Sequence, residues 1–332
     1  MPIGAIYLGK TMKTKEIIAW LEKWNPHNQH VTLSTIFAKM GFSRGKTHVI
    51  NHGPPGTGKS HSTIELIKRL NLGTEIMVDN TTTDRGLFEL FLNYPEQDIV
   101  LDECSTLLRS KKTQDMVKMS QEGKPLSWMK MDSTETTEPY KGNLIINANV
   151  PIEGAVIDRC LFNKTGMNRE MALSFNEYYI EEYQNPTDFA PFIDFLRKVV
   201  KVKTEPKLTK DEVQKIYLLV KENIQGTDQL NGFSRRTLIR ELNYFKHMKR
   251  LFGKLDDEVF EYAKPFAETY IINAHTPGLI ESIVGDTEIE KANLVKRVAA
   301  EGRYTETHAR RLVNAAIRDG KIKLWGKVVR KA

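Results

Sequence analysis

The residues whose types and spacing could do chemistry begin with Gly53-Pro54-Pro55-Gly56-Thr57-Gly58-Lys59-Ser60. Glycine, four residues, then Gly-Lys-Ser is a pattern whose backbone wraps around phosphate oxygens. Its glycines let successive N–H groups converge, and a following helix adds the positive end of its dipole. Lys59 is expected to reach the β- and γ-phosphates and the Ser60 hydroxyl to ligate Mg²⁺. His61 follows directly and is grouped with the nucleotide-binding loop. The setting agrees: the apolar run His48-Val49-Ile50 leads in as a buried strand would, and Ser62 to Leu70 leads out as an amphipathic helix.

Two further stretches belong with this loop. In Ile99-Val100-Leu101-Asp102-Glu103 an apolar strand delivers two acids at its C-terminal edge, where parallel sheets bind ligands. Asp102 is expected to hold Mg²⁺, largely through water, and Glu103 to orient and polarise the water that attacks the γ-phosphate. The acids lie about 42 residues beyond Lys59, with a strand-helix alternation between. In Asn143-Leu144-Ile145-Ile146-Asn147-Ala148-Asn149-Val150-Pro151 a strand ends in asparagines, and a neutral amide there can sit between the acids and a γ-phosphate.

The elements that must position these residues alternate from Lys46 to about Lys164, as a parallel sheet requires. Strands are expected at Thr47–Asn51, Glu75–Val78, Asp98–Leu101 and Asn143–Asn147. A helical lead-in precedes them, with helices over Thr14–Trp24 and Leu33–Met40. Four helices then follow at Asp188–Val200, Thr209–Ile224, Ser234–Phe252 and Asp256–Ile272. Thr209 with Glu212 forms a capping box, Ser234 can cap the third, and Pro265 should kink or interrupt the last. After a linker at His275-Thr276-Pro277-Gly278 come helices at Leu279–Val284, Glu288–Ala300 and Thr305–Asp319. Strands Lys321–Leu324 and Lys327–Arg330, turned at Trp325-Gly326, complete the order of a winged helix-turn-helix. The domains expected are thus 1–45, 46–185, 186–275 and 277–332.

Composition bounds the class. The chain has 332 residues, 40% apolar and 27% charged, which suits a soluble multidomain protein. No apolar run approaches the roughly 18 residues of a membrane span, and the start lacks a signal-peptide pattern. Two cysteines, Cys104 and Cys160, form no disulfide framework, so a reducing, cytoplasmic setting is expected. His27 and His30 fall in a Pro/Asn/Gln-rich segment that reads as a surface loop rather than a metal site. From Thr287 to the end there are 12 Lys/Arg against 5 Asp/Glu, a net of +7 that equals the net charge of the whole chain. A basic segment on a neutral body points to a polyanion, most simply nucleic acid.

The order of phosphate loop, Asp-Glu strand and asparagine-ended strand before a proline resembles the AAA+ ATPases over about residues 40–275. The resemblance implies an αβ core, a small helical lid, ATP with Mg²⁺ between them, and a homo-oligomeric ring, usually of six. It makes Asn149 the first sensor, with Asn147 as the competitor one strand-repeat earlier. Ala155-Val156-Ile157-Asp158-Arg159-Cys160 resembles the arginine-finger segment, so Arg159 is expected to reach a neighbour's γ-phosphate. Gly232-Phe233-Ser234-Arg235-Arg236-Thr237 resembles the second-sensor motif, and Arg236 fits its register better than Arg235. One departure is that no segment contacting the adenine is recognisable before residue 46.

Residues 125–141 read as a β-hairpin inserted before the sensor strand, a placement similar to superfamily-three viral helicases. Lys130 and Lys141, with Trp128 as a stacking surface, are then expected to touch single-stranded DNA in the ring channel. In the winged helix His308, Arg310 and Arg311 are expected on the helix that enters the major groove, with Lys327 reaching phosphates from the hairpin. The expected function is an ATP-hydrolysing DNA motor, a replicative helicase or initiator of a virus, plasmid or other mobile element. A Holliday-junction branch-migration motor and an ATP-switched assembly scaffold are the alternatives.

Overall fold

The computed structural model describes residues 12–41, 47–129, 133–150, 152, 154–157, 159–166, 169–202, 204–223, 235–275, 283–284, 288–302, 306–318 and 322–331. Its centre is a five-stranded parallel sheet. In chain order the strands are β1 (His48–His52), β2 (Glu75–Val78), β3 (Asp98–Asp102), β6 (Leu144–Ala148) and β7 (Cys160–Lys164), arranged β2-β3-β6-β1-β7. A short antiparallel pair, β4 (Ser127–Met129) and β5 (Thr134–Thr136), lies apart from this sheet.

Alternate strand residues face opposite sides, and here both sides are dry. Ile50, Ile99, Leu101, Leu144 and Ile146 join one core with Leu87, Phe88 and Phe91 of α4 (Asp84–Asn93) and with α6 (Lys111–Gln121). Val49, Val100, Ile145 and Leu161 are buried outside that core, and α2 (Gln29–Met40) packs on β1, β6 and β7. The expected strands fall within one residue of the observed ones. The strand β7 was not foreseen, because its run Cys160-Leu161-Phe162 is short and follows a segment read as carrying an arginine.

The helices α1 (Thr14–Trp24), α9 (Ala190–Lys201), α10 (Lys210–Asn223), α11 (Arg235–Phe252) and α12 (Asp257–His275) share one compact unit with the sheet. The helix α11 is tied to α2, to the lead-in of β1 and to α9. Phe37 stacks on His247 at 5.1 Å, the His247 Nε2 lies 2.7 Å from the Thr47 hydroxyl, and Arg250 donates to the carbonyls of Met40, Gly41, Val199 and Val200. Arg250 thereby caps the carboxyl ends of α2 and α9, whose last carbonyls lack intrahelical partners. The Thr209–Glu212 capping box forms in both directions, at 2.6 and 3.2 Å. Pro265 does not interrupt α12, which runs on from Asp257 to His275.

Residues from 275 on form a second compact unit. The helices α13 (Lys291–Gly302) and α14 (Glu306–Arg318) pack on a three-stranded antiparallel sheet of β8 (Ile289–Glu290), β10 (Val328–Lys331) and β9 (Ile322–Trp325). Leu294, Val298, Ala309, Val313, Ile322 and Val329 form its core. The strand β8 was not expected. The hairpin turns at Gly326-Lys327, one residue later than the sequence suggested. Among the described residues no helix is long and apolar enough to cross a membrane, and the two buried cysteines form no disulfide.

Candidate functional site

At the carboxyl ends of β1, β3 and β6 lies a cavity of about 480 Å³, walled by the 55–61 loop, Asp102, Glu103, Asn147 and Asn149. The loop is shaped by its glycines. Gly56 and Gly58 have φ of +77° and +78°, where a side chain is strained. A Cβ on Gly53 would stand 2.1 Å from the Thr165 carbonyl oxygen, so β7 can close on the loop only with glycine there. The chain then makes one wide π-type turn, His61–Glu65, before α3 (Leu66–Leu70). Such turns are uncommon and concentrate at functional sites.

Buried side chains grip this loop from outside. Asn28 Nδ2 donates to the Thr57 carbonyl at 2.8 Å, Asn25 Nδ2 to the Ser62 hydroxyl at 2.7 Å, and the Thr57 and Thr165 hydroxyls meet at 2.9 Å. The α1–α2 connection is therefore no simple surface loop: Asn25 and Asn28 are buried, and in the first turn of α2 burial pushes the His30 pKa down to about 4. Lys59 Nζ donates to the carbonyls of Gly53 and Pro54 and to the Thr57 hydroxyl, at 2.8, 2.7 and 3.2 Å. Burial lowers its pKa, and the nearby Asp102 and Glu103 carboxylates oppose that shift.

The acids come next. Asp102 Oδ1 accepts from the Ser60 hydroxyl at 2.7 Å and from Asn147 Nδ2 at 2.9 Å, leaving the carboxylate anchored on one oxygen. Ser60 and Asp102 supply hard oxygen ligands of the kind Mg²⁺ takes. Glu103 is exposed and has φ of +54°, a left-handed backbone that is uncommon for a non-glycine residue and found where function over-determines the geometry. Asn149 is exposed at the same cavity and accepts from the Ser105 hydroxyl. Both asparagines left open by the sequence thus reach this cavity, in different ways: Asn147 is bound to Asp102, whereas Asn149 stands at the rim.

The remaining wall belongs to α8 (Arg169–Gln184), an element sequence reasoning missed. Phe175, Asn176 and Tyr179 line the cavity; Phe175 and Tyr179 meet edge-on at 4.8 Å, and His61 meets Tyr179 at 5.2 Å. Burial lowers the pKa of His61. The signal was present as aromatics spaced i, i+4 at Phe175, Tyr179 and Tyr183, one helix face.

No protein-family model and no curated protein matches this chain, so the reading of the site rests on its own geometry.

The other expected residues lie elsewhere. Arg159 directly precedes β7, whose first residue pairs with His48 and whose last pairs with His52 beside the loop. It therefore stands at the opposite edge of the sheet from the cavity, about 16 Å of strand away. There it is bound to Glu122, whose carboxyl is held down to about 2 by Lys124 and then by Arg159. Lys141 lies beyond the β4–β5 hairpin and pairs with Glu96 at 2.8 Å. Trp128 is no open stacking surface: it packs on Phe88, with Lys112 Nζ 3.1 Å from its ring centre. Lys130 lies outside the described residues, as do the side chains of Arg236, His308 and Arg311. In the second unit Arg310, Asn314 and Lys327 are exposed and line a groove of about 530 Å³ with Lys291 and Lys296. Beside it on β9, Trp325 is 62% exposed, with the Arg330 guanidinium 4.1 Å from its ring centre.

Proposed function

We propose that this chain is an ATP-hydrolysing, Mg²⁺-dependent DNA motor of the AAA+ type, with a P-loop at Gly53–Ser60 and a C-terminal winged helix that meets duplex DNA. One observation carries the reading. Ser60 and Asp102, 42 residues apart in sequence, meet at 2.7 Å in the same cavity as Lys59. Two motifs found separately in the sequence thus form one oxygen-rich, cation-bearing site.

The residues divide the chemistry among them. Lys59 is held only by neutral oxygens, and an anionic phosphate oxygen makes a charge-assisted bond roughly twice as strong, so the ammonium moves to the nucleotide. Ser60 and Asp102 hold Mg²⁺, which when bound neutralises charge building on the phosphoryl oxygens. Glu103, set at the cavity by its left-handed backbone, orients the attacking water and accepts its proton. Asn149 at the rim is the amide placed to sense the terminal phosphate, while Asn147 is committed to Asp102.

Arg159 is remote from the cavity of its own chain, which fits a finger that serves a neighbouring subunit in a ring, six being the expected number. Arg236 at the start of α11 fits the second sensor by sequence alone. The exposed basic residues of the second unit fit a DNA backbone, and Lys130, in the sequence between β4 and β5, is by sequence alone the residue expected to meet a strand in the ring channel.

The test is ATP hydrolysis and strand displacement measured on forked, single-stranded, duplex and four-way DNA. Mg²⁺-dependent hydrolysis stimulated by DNA, with displacement on forks, is expected. Preference for the four-way junction makes it a branch-migration motor, and ATP-driven assembly without displacement makes it a scaffold. No Mg²⁺-dependent hydrolysis with any DNA sinks the reading.

A further inference from the structure

Three asparagines stand side by side in the sheet interior. Asn163 on β7, Asn51 on β1 and Asn147 on β6 are register partners, and Asn147 is in turn the partner of Asp102 on β3. Asn51 and Asn163 are fully buried and Asn147 is 3% exposed. All four share strand parity with Val49, Val100, Ile145 and Leu161, so they lie on the α2 side of the sheet. Four adjacent strands therefore carry one continuous polar row across the sheet, buried at all three asparagines.

The row is bonded head to tail. Asn163 Nδ2 donates to Asn51 Oδ1 at 2.6 Å, Asn51 Nδ2 to Asn147 Oδ1 at 2.8 Å, and Asn147 Nδ2 to Asp102 Oδ1 at 2.9 Å. Its polarity is forced. A carboxylate only accepts, so Asn147 must turn its NH₂ toward Asp102 and its carbonyl toward Asn51. That carbonyl fixes Asn51, and Asn51 fixes Asn163. The second Nδ2 hydrogens of Asn51 and Asn163 go to Thr63 Oγ1 at 3.2 Å and Ser34 Oγ at 2.7 Å. At the tail, Asn163 Oδ1 is buried with no hydrogen-bond partner among the described residues. A buried acceptor left so is unfavourable, and the row holds its direction against that cost.

We infer that Asn51 and Asn163 are positioning residues of the Mg²⁺ site, acting through Asn147 to fix the Asp102 carboxylate. The inference rests on the proposed Mg·ATP reading of the cavity. Neither residue lines the cavity, and Asn163 stands three strand spacings, about 14 Å, from Asp102. Aligned amides in a dry interior polarise one another, so the row presents its positive end to Asp102 Oδ1. It shares that oxygen with Ser60, which leaves Oδ2 outside the network. Partners of this outer kind commonly change metal affinity or activity by 10–100-fold when lost.

Two measurements on the full-length chain test this. The first needs no nucleotide: side-chain amide signals of ¹⁵N-asparagine protein are compared with those of Asp102→Asn. Exchange of the charged acceptor for a neutral one should move the signals of Asn147, Asn51 and Asn163, in decreasing order. A change confined to Asn147 overturns the relay. The second is the Mg²⁺ concentration for half-maximal ATP hydrolysis. Asn51→Leu should raise it about tenfold with a smaller effect on the rate at saturating Mg²⁺, yet change nothing further in the Asp102→Asn background. An unchanged Mg²⁺ midpoint, or an equal effect in both backgrounds, overturns the positioning role. Asn163→Leu carries the same expectation at smaller size and decides the matter should Asn51→Leu not fold. If wild-type protein hydrolyses no ATP, the proposed function falls while the amide signals still decide the relay.

Discussion

Two cavities of similar size, about 480 and about 530 Å³, are built in opposite ways. The one at the sheet edge is made of polar atoms already committed to one another. Ser60, Asp102, Asn147, Lys59 and Thr57 each have a hydrogen-bond partner, and Asn25, Asn28 and Thr165 hold the loop from outside. The groove of the C-terminal unit is lined by Lys291, Lys296, Arg310 and Lys327 together with Glu290 and Glu306, above a small apolar core. The first arrangement fixes atoms to within hydrogen-bond tolerance, as catalysis needs. The second offers charge that adapts to a flexible polyanion, with energies that add and that salt screens. Substitutions should therefore have large, specific effects in the first and small, cumulative ones in the second.

The sharpest break is expected at the acids. Glu103→Gln keeps shape but not the proton acceptor, so hydrolysis should fall by about 10³-fold or more while ATP binding stays nearly intact. Lys59→Ala should instead weaken binding itself. Wild-type turnover by the Gln variant, measured under single-turnover conditions, would falsify the assignment of Glu103. Arg159→Ala should fold, bind ATP and fail to turn it over, by a comparable factor. Mixing it with Glu103→Gln chains should restore part of the activity, since some interfaces then pair an intact Glu103 with an intact Arg159. No recovery at any mixing ratio, with subunit exchange demonstrated, argues against action on a neighbour.

A stability comparison within the loop follows in size. Gly53→Ala places a methyl 2.1 Å from the Thr165 carbonyl, and backbone cannot yield as a side chain can. The loss should reach about 3 kcal/mol, the upper end for overpacking. Gly56→Ala meets nothing within 4 Å but must keep φ at +77°, which costs about 1 kcal/mol. Urea unfolding of both variants checks the order, and equal losses would mean that β7 does not close on the loop as described.

What the sequence made legible follows the same division. The loop, the Asp-Glu strand and most strand positions were readable because each is a local pattern: glycines at fixed spacing, or Ile/Val runs bounded by turn residues. The partners that hold the site were not. Asn25 and Asn28 look like turn residues, and only the fold sets them under Thr57 and Ser62. Asn51 closes an expected strand and Asn163 lies on one that was not foreseen, and only registration aligns both with Asn147. Trp128 reads as a stacking surface, but Phe88 and Lys112 lie 40 and 16 positions away on α4 and α6, so its packing was invisible locally. Long-range pairing is what a single sequence hides.

The smallest effects are expected in the groove of the C-terminal unit. Arg310 and Lys327 are exposed, come from α14 and the hairpin turn, and line one surface. If each contacts a phosphate, it displaces about one counterion, and Ala there lowers the slope of log affinity against log salt by about one. The loss should be nearly the same for any duplex sequence, because a phosphate contact carries no sequence information. ATP hydrolysis without DNA should stay at the wild-type level in both variants. Duplex binding measured across a salt series checks this. The two substitutions should add, since the exposed charges stand on separate elements. A slope unchanged by the pair would make the groove a protein-contact surface, and a loss confined to one DNA sequence would move Arg310 from the backbone to a base edge.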